Sequence, residues 1–289
     1  MRSLLFVPAD GGSKLDKAMA SGADAVIVDL EDSITPERKP QARAAALDFL
    51  KYSNAKKDRP RLLVRINGLD TGMTDADLDT IVSGKPDAVV FPKAEGGASV
   101  VHLDAKLTAR EAVAGVAEGR IKILAQAVES AAGLFAAGTF RGASARLIGL
   151  TWGPEDLSAE LGAETNRDAA GNLTEPCRLA RSMCLFGAAA AKLAAIETVY
   201  VDFRNSEGLR RDTRDARRDG FTGRLAIHPA QVPIINEVFT PTAEEIEKAK
   251  AVVAAFAAQP DAGAVGIDGK MYDRPHLTRA QALLARLGQ

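Results

Sequence analysis

The sequence predicts a (β/α)8 TIM barrel with a C-terminal helical extension, and three observations lead there. Eight short β-rich runs alternate with longer helix-forming stretches over about 240 of the 289 residues, the length such a barrel takes. The runs lack strict apolar–polar alternation, as expected of parallel strands buried on both faces. No Gly-x-Gly-x-x-Gly turn follows any of them, which weighs against the rival doubly wound sheet; Gly11-Gly12 is only a weak loop signal.

The strands are expected at residues 4–7, 25–30, 62–66, 88–91, 121–128, 147–150, 198–203 and 224–227. Segments between them are rich in Ala, Leu, Lys and Glu, with helices at 41–51, 129–137, 176–195 and 229–238. Thr35-Pro36 marks the start of the second helix, and Pro229 sits at a first-turn position. The barrel domain covers 1–240. After Thr240-Pro241-Thr242 the pattern changes. Residues 243–258 predict a helix capped by Thr242, with Glu244 and Glu245 in its first turn. A Gly/Asp-rich loop follows at 259–270, then a final helix from Pro275. This extension, 241–289, adds no strand to the barrel; it caps its own barrel or reaches a neighbouring subunit.

Hydrophobic residues at 46% and charged residues at 26% describe a globular chain with a sizeable core and exclude disorder as its main state. Lys plus Arg number 37 against 38 Asp plus Glu, a net charge of -1, which argues against nucleic acid as the main partner. No apolar run approaches the ~20 residues that cross a bilayer, and Met1–Pro8 is apolar too briefly for a signal peptide. No membrane partner and a cytoplasmic location are therefore expected. Cys177 and Cys184, seven apart, fall on one helix face and read as reduced thiols in a core.

Active sites of such barrels lie at the C-terminal ends of the strands. Those ends carry Asp29-Leu30-Glu31-Asp32, Arg65-Ile66-Asn67, Lys93-Ala94-Glu95, Gln126-Ala127-Val128-Glu129 and Gly153-Pro154-Glu155-Asp156, with the seventh near Asp202. So many carboxylates at one mouth repel one another, and a divalent cation resolves that cost. Glu129 and Asp156 are 27 residues apart, about one β/α unit, and belong on adjacent strands where they can share an ion with water and substrate oxygens. The alternative is that each merely caps the helix after it. No His-rich spacing points to zinc. Glu31 and Asp32 either orient metal-bound waters from behind the ligands or pair with Lys39 and Arg43. Lys93 reads as a charge partner for the carboxylates rather than a Schiff-base lysine, and His228 as structural.

Several segments resemble the HpcH/HpaI aldolase–citrate lyase beta-subunit superfamily, in order along nearly the whole chain. They include Arg2–Ala9, Val28–Ser33, Val64–Gly68, Phe91-Pro92-Lys93, Val128-Glu129-Ser130, Gly153–Leu157 and Ala226–Pro229. Within that superfamily the chain is most similar to malyl-CoA and citramalyl-CoA lyases and citrate lyase beta-like proteins. The resemblance implies Mg2+ held by Glu129 and Asp156, and Arg65 contacting the oxo-acid and thioester oxygen. It implies Asp273, within Gly269–Asp273, as an acid/base reaching a neighbouring subunit's site. It also implies substrate and CoA contacts at Phe6, Lys17, Gly153, Pro154, Ala226 and Ile227. Ala9, Ser13 and Tyr272 depart from the pattern, at positions bearing on CoA grip and substrate size.

The chemistry so implied is cleavage or formation of the carbon–carbon bond of a malyl-CoA- or citramalyl-CoA-like 3-hydroxyacyl thioester, giving an acyl-CoA and a small 2-oxo acid. Cleavage leaves an enolate, which needs fixed positive charge near its oxyanion, the part Arg65 suits. Asp273 would move the proton on the acyl carbon. Three alternatives stand beside this: a citrate lyase beta subunit acting on an acyl-carrier-protein thioester, a class II 2-oxo acid aldolase without CoA, and a non-catalytic CoA-ester-binding protein. A homo-trimer or hexamer is the assembly the resemblance implies.

Overall fold

The computed structural model describes residues 1–288. The chain separates into two compact units, Met1–Phe239 and a second beginning at Thr240. In the first, eight parallel strands close into a barrel: β1 (Ser3–Pro8), β2 (Ala25–Asp29), β3 (Arg61–Arg65), β4 (Ala88–Phe91), β5 (Lys122–Val128), β6 (Leu147–Trp152), β7 (Ala194–Glu197) and β8 (Gly223–Ala226). Pairing of Leu4 with Leu225 and Leu5 with Ala226 joins the last strand to the first.

Strand residues alternate between two apolar layers. Leu4, Ile27, Leu63, Val90, Leu124, Ile196 and Leu225 form one cluster, in the barrel interior. Leu5, Val26, Val28, Leu62, Val64, Val89 and Ile123 belong to another, beneath the helices. Both faces are dry, which is why the runs read as nearly continuous hydrophobes. Each fully buried Leu, Ile or Val contributes roughly 1.5–3 kcal/mol relative to exposure. The helices between the strands are α1 (Ser13–Met19), α2 (Lys39–Asn54), α3 (Thr74–Ile81), α4 (Gly97–Val113), α5 (Ala131–Ala136), α6 (Pro154–Glu160), α7 (Glu175–Ala191) and α8 (Ser206–Asp219), with α9 (Gln231–Phe239) after the last strand. Cys177 and Cys184 are free and buried on α7.

One strand lies elsewhere than expected. The sequence places the seventh strand at 198–203, a β-branched and aromatic run, yet β7 is Ala194–Glu197. Lys192 takes a left-handed conformation (φ 58°) and ends α7 after Ala191, so the four residues paired against β6 and β8 come from the Ala-rich segment. Barrel closure overrides propensity here. Asp202 consequently lies beyond the strand, exposed, and Glu197 ends it instead. Pro229 also precedes its helix, α9 (Gln231–Phe239), rather than opening its first turn.

The second unit begins with α10 (Ala243–Ala258). Thr242 caps it, and with Glu245 forms a capping box. The segment expected to be a loop contributes an antiparallel hairpin, β9 (Ala264–Ile267) and β10 (Lys270–Asp273), turning through Asp268 and Gly269, both at positive φ. Sequence alternation across so short a pair is too weak to see. α11 (Arg274–Ala285) follows. Ala249, Val252, Phe256, Val265 and Ala280 make a small core of this unit's own.

Candidate active site

β2 ends on Asp29 and β3 on Arg65, in-register neighbours, so their side chains meet. Arg65 Nε and Nη2 donate to Asp29 Oδ1 and Oδ2 at 2.7 and 2.8 Å, a bidentate pair. Asp29 also accepts the N–H groups of Glu31 and Ser33, which folds the following loop back over the mouth. Burial opposes charge on Asp29, but the Arg65 guanidinium outweighs it and holds the carboxyl below its ordinary range. Arg65 also lies over the Phe6 ring, 4.9 Å from its centroid. Its Nη1 is 2.8 Å from Glu31 Oε2, but without hydrogen-bond geometry, leaving that buried oxygen with no hydrogen-bond partner among the described residues. Burial pushes the Glu31 carboxyl up, against Arg65 and Lys93.

Glu129 follows β5, where the pairing with β6 shifts register between Gln126 and Val128; such irregularities re-aim side chains at barrel rims. Glu129 is 4% exposed. Its Oε2 accepts the Lys93 N–H at 2.9 Å and its Oε1 accepts Gln126 Nε2 at 2.5 Å. Among the described residues no Lys or Arg forms an ion pair with it. Burial pushes its carboxyl up to about 8. Gly153 is required beside it: a Cβ there would stand 2.5 Å from Glu129 Oε1. Asp156 lies in the first turn of α6 (Pro154–Glu160), half-buried, 3.6 Å from Lys93 Nζ.

A divalent cation fits this donor set. Glu129 offers hard oxygen donors, buried with no ion-pair partner among the described residues and held where only glycine leaves it room. Glu31 Oε2 and Gln126 Oε1 are further buried oxygens with no hydrogen-bond partner among the described residues. No ready-made group of three or more His, Cys, Asp or Glu is present among the described residues, so other coordination positions fall to water and substrate, as is usual for Mg2+.

Phe6, Asp32, Arg65, Glu129, Gly153, Pro154, Asp156 and Ile227 line one cavity of about 460 Å3. Glu129 and Asp156 also border a second of about 330 Å3, with Lys93. Lys17, on α1 (Ser13–Met19), is exposed and lines neither. Ala226 is buried within β8, and the Ile227 N–H already donates to Gln231 Oε1 at 2.9 Å. Asp273 lies in the second unit, where it caps α11 and bonds His276 Nδ1. The carboxylates of Glu31 and Asp32 pair with Arg65 and Lys93, not with Lys39 or Arg43. Lys39 Nζ donates to the Leu30 and Glu31 carbonyls and to Asn67, and Arg43 pairs with Asp77. The His228 ring stacks on Phe203 and its Nδ1 accepts the Ala230 N–H.

Asp29, Trp152 and Thr198 line the larger cavity although the sequence assigns none of them a role. Asp29 was visible as a strand end but carried no role; an Arg at the matching end of the next strand was the available signal. The buried Trp152 donates through Nε1 to Glu197 at 2.6 Å, a contact between residues 45 apart that no local pattern reveals.

Residues 2–229 match the HpcH/HpaI aldolase/citrate lyase family. A citrate lyase subunit beta-like protein of Mycobacterium tuberculosis is 35% identical over 285 residues, covering 99% of this chain and 95% of that protein. A (3S)-malyl-CoA thioesterase of Cereibacter sphaeroides is 34% identical over 290 residues, covering 99% and 94%. Among solved structures, CitE from Mycobacterium tuberculosis in complex with magnesium, acetoacetate and coenzyme A aligns with a TM-score of 0.78 at 34% identity, over 100% of this chain and 98% of that one. On these grounds the chain belongs to the HpcH/HpaI aldolase/citrate lyase family.

Proposed function

We propose that the chain is a Mg2+-dependent acyl-CoA lyase, cleaving or forming the carbon–carbon bond of a malyl-CoA- or citramalyl-CoA-like thioester to give an acyl-CoA and a 2-oxo acid. The observation that carries the reading is one cavity bounded by Arg65, Glu129 and Asp156, with Glu129 buried and in no ion pair among the described residues. Relatives named as acting on malyl-CoA, and a solved relative holding magnesium, acetoacetate and coenzyme A, support it.

Glu129 and Asp156 would hold the ion, which when bound supplies Lewis-acid polarisation of the 2-oxo acid's oxygens. Arg65, fixed by Asp29, presents donors to negative charge developing on the thioester oxygen, with no reorganisation at the moment of reaction. Phe6, Trp152, Val199 and Leu225 give the cavity apolar walls, against which a bound substrate would displace water from those donors. Asp273 is the proposed group that moves the proton on the acyl carbon, presented from its position at the start of α11. The assembly that would bring it to a site is a homo-trimer or hexamer.

The test is a panel of CoA thioesters incubated with Mg2+, reading the released 2-oxo acid. Cleavage of one member that is lost in EDTA and restored by Mg2+ is the expected result; activity surviving thorough chelation overturns the mechanism. A second reading, hydrolysis of the thioester, is favoured by the thioesterase relative. It is distinguished in the same assay by free malate appearing in place of glyoxylate.

A further inference from the structure

Lys93 borders the smaller cavity, with Glu129 and Asp156, in a conformation that local preference disfavours. It follows β4 with φ at 49°, left-handed for a non-glycine residue. Strain of that kind persists only where surrounding contacts over-determine it. The contacts are on both ends of the residue. Its N–H donates to Glu129 Oε2 at 2.9 Å. Its ammonium lies 2.8 Å from Glu31 Oε1 and 3.6 Å from Asp156 Oδ1. One residue thus fixes one carboxylate through its backbone and neutralises two others through its side chain.

We propose that Lys93 is an internal competitor of the divalent cation: its ammonium balances the carboxylates when no ion is present, and must give up Asp156 when one enters. The proposal rests on reading Glu129 and Asp156 as the ion-holding pair. Two like charges cannot share Asp156 without mutual repulsion, so the ammonium lowers affinity for the ion while keeping the empty mouth folded. It also gives the site a reason to release an ion that substrate oxygens no longer help to hold. A lysine that only propped the loop would act in the opposite sense, since its removal would disorder the ligands and weaken ion binding.

The experiment is calorimetric titration of Mg2+ into the substrate-free protein, comparing wild type with Lys93→Met, Lys93→Gln and Lys93→Arg. The two neutral variants are expected to bind Mg2+ about three- to tenfold more tightly, the order of effect of one unit charge at a partly solvated site, while the arginine variant stays near wild type. Before Mg2+ is added, the neutral variants should melt below wild type, and Mg2+ should raise their melting temperature further than it raises that of wild type. Equal or weaker binding in both neutral variants overturns the proposal. If Met and Gln fail to fold, Lys93→Gly, which accepts the left-handed backbone without strain, carries the same expectation. Asp156→Asn ties the signal to this mouth by abolishing it. Retention of binding in that variant, or no binding in any form of the protein, overturns the ion-pair reading itself and the Lys93 proposal with it.

Discussion

The two rims of the barrel are built from the same residue types and differ in how their charges are matched. At the N-terminal rim Arg2 pairs with Asp24 (2.7 Å), and Arg59 pairs with Asp87 (2.5 Å). Arg146 pairs with both Asp104 (2.5 Å) and Glu111 (2.7 Å). Glu111 also accepts the N–H groups of Gly119 and Ile121, and Asp87 that of Leu62. Burial opposes charge on these four carboxyls, but the donors around them outweigh it and hold all four below the ordinary range. At the C-terminal rim burial prevails at Glu31 and Glu129, and both are pushed up. At the N-terminal rim internal donors outweigh burial, whereas Arg65 and Lys93 do not offset it at Glu31 and Glu129 has no ion-pair partner among the described residues.

The sharpest test exchanges one residue from each rim. Glu129→Gln is expected to lower turnover at least about 1000-fold, as loss of an ion ligand should, with a melting temperature equal to or above wild type. The new amide can be accommodated because Gln126 has a spare oxygen to accept from it. Arg146→Ala should do the reverse, destabilising by about 3–5 kcal/mol by stranding buried Glu111, with turnover per folded molecule unchanged. Thermal denaturation beside steady-state kinetics checks both, and a stability loss in the first or a turnover loss in the second breaks the comparison.

A smaller effect follows from titration in chelated protein. The depressed N-terminal-rim carboxyls contribute stability that is full above their unfolded values near 4 and is lost as pH falls through their folded values. Glu129, raised to about 8, holds a proton in the folded state that the unfolded chain releases near 4.5. It therefore costs stability as pH rises between those values, by about 1 kcal/mol per unit in mid-window. Denaturant midpoints from pH 3 to 8 should show Arg59→Met flattening the acid limb and Glu129→Gln flattening the decline above pH 5. The smallest effect is at the edge of the matched rim. Arg120, 3.4 Å from Asp87 and 40% exposed, should cost at most about 1 kcal/mol when replaced by alanine. A larger loss would mean that even exposed members of that rim are structural.

Much of this architecture was legible. Seven of the eight strands were visible because strands buried on both faces must be apolar throughout, and their ends named Arg65, Glu129 and Asp156. The eighth, β7, was hidden because Ala194–Glu197 resembles the end of the preceding helix while 198–203 has the stronger β propensity. The β9–β10 hairpin was hidden because four-residue strands bounded by glycine look like loop. Within the mouth, residue types at strand ends were readable, whereas the partner of each was not. Glu31 and Asp32 could have turned to Lys39 or Arg43, nearby in sequence; they turn instead to Arg65 and Lys93, 34 and 62 positions from Glu31.

What the sequence by itself determined is the order and polarity of the strands, because hydrophobic burial on two faces writes itself into every run, and which end of the barrel collects charge. Which carboxylates are compensated was settled by the folded barrel alone. A pKa depends on all groups within a few ångströms, and at a barrel mouth those groups come from strands a whole β/α unit apart, so the isolation of Glu129 exists only once the barrel has closed around it.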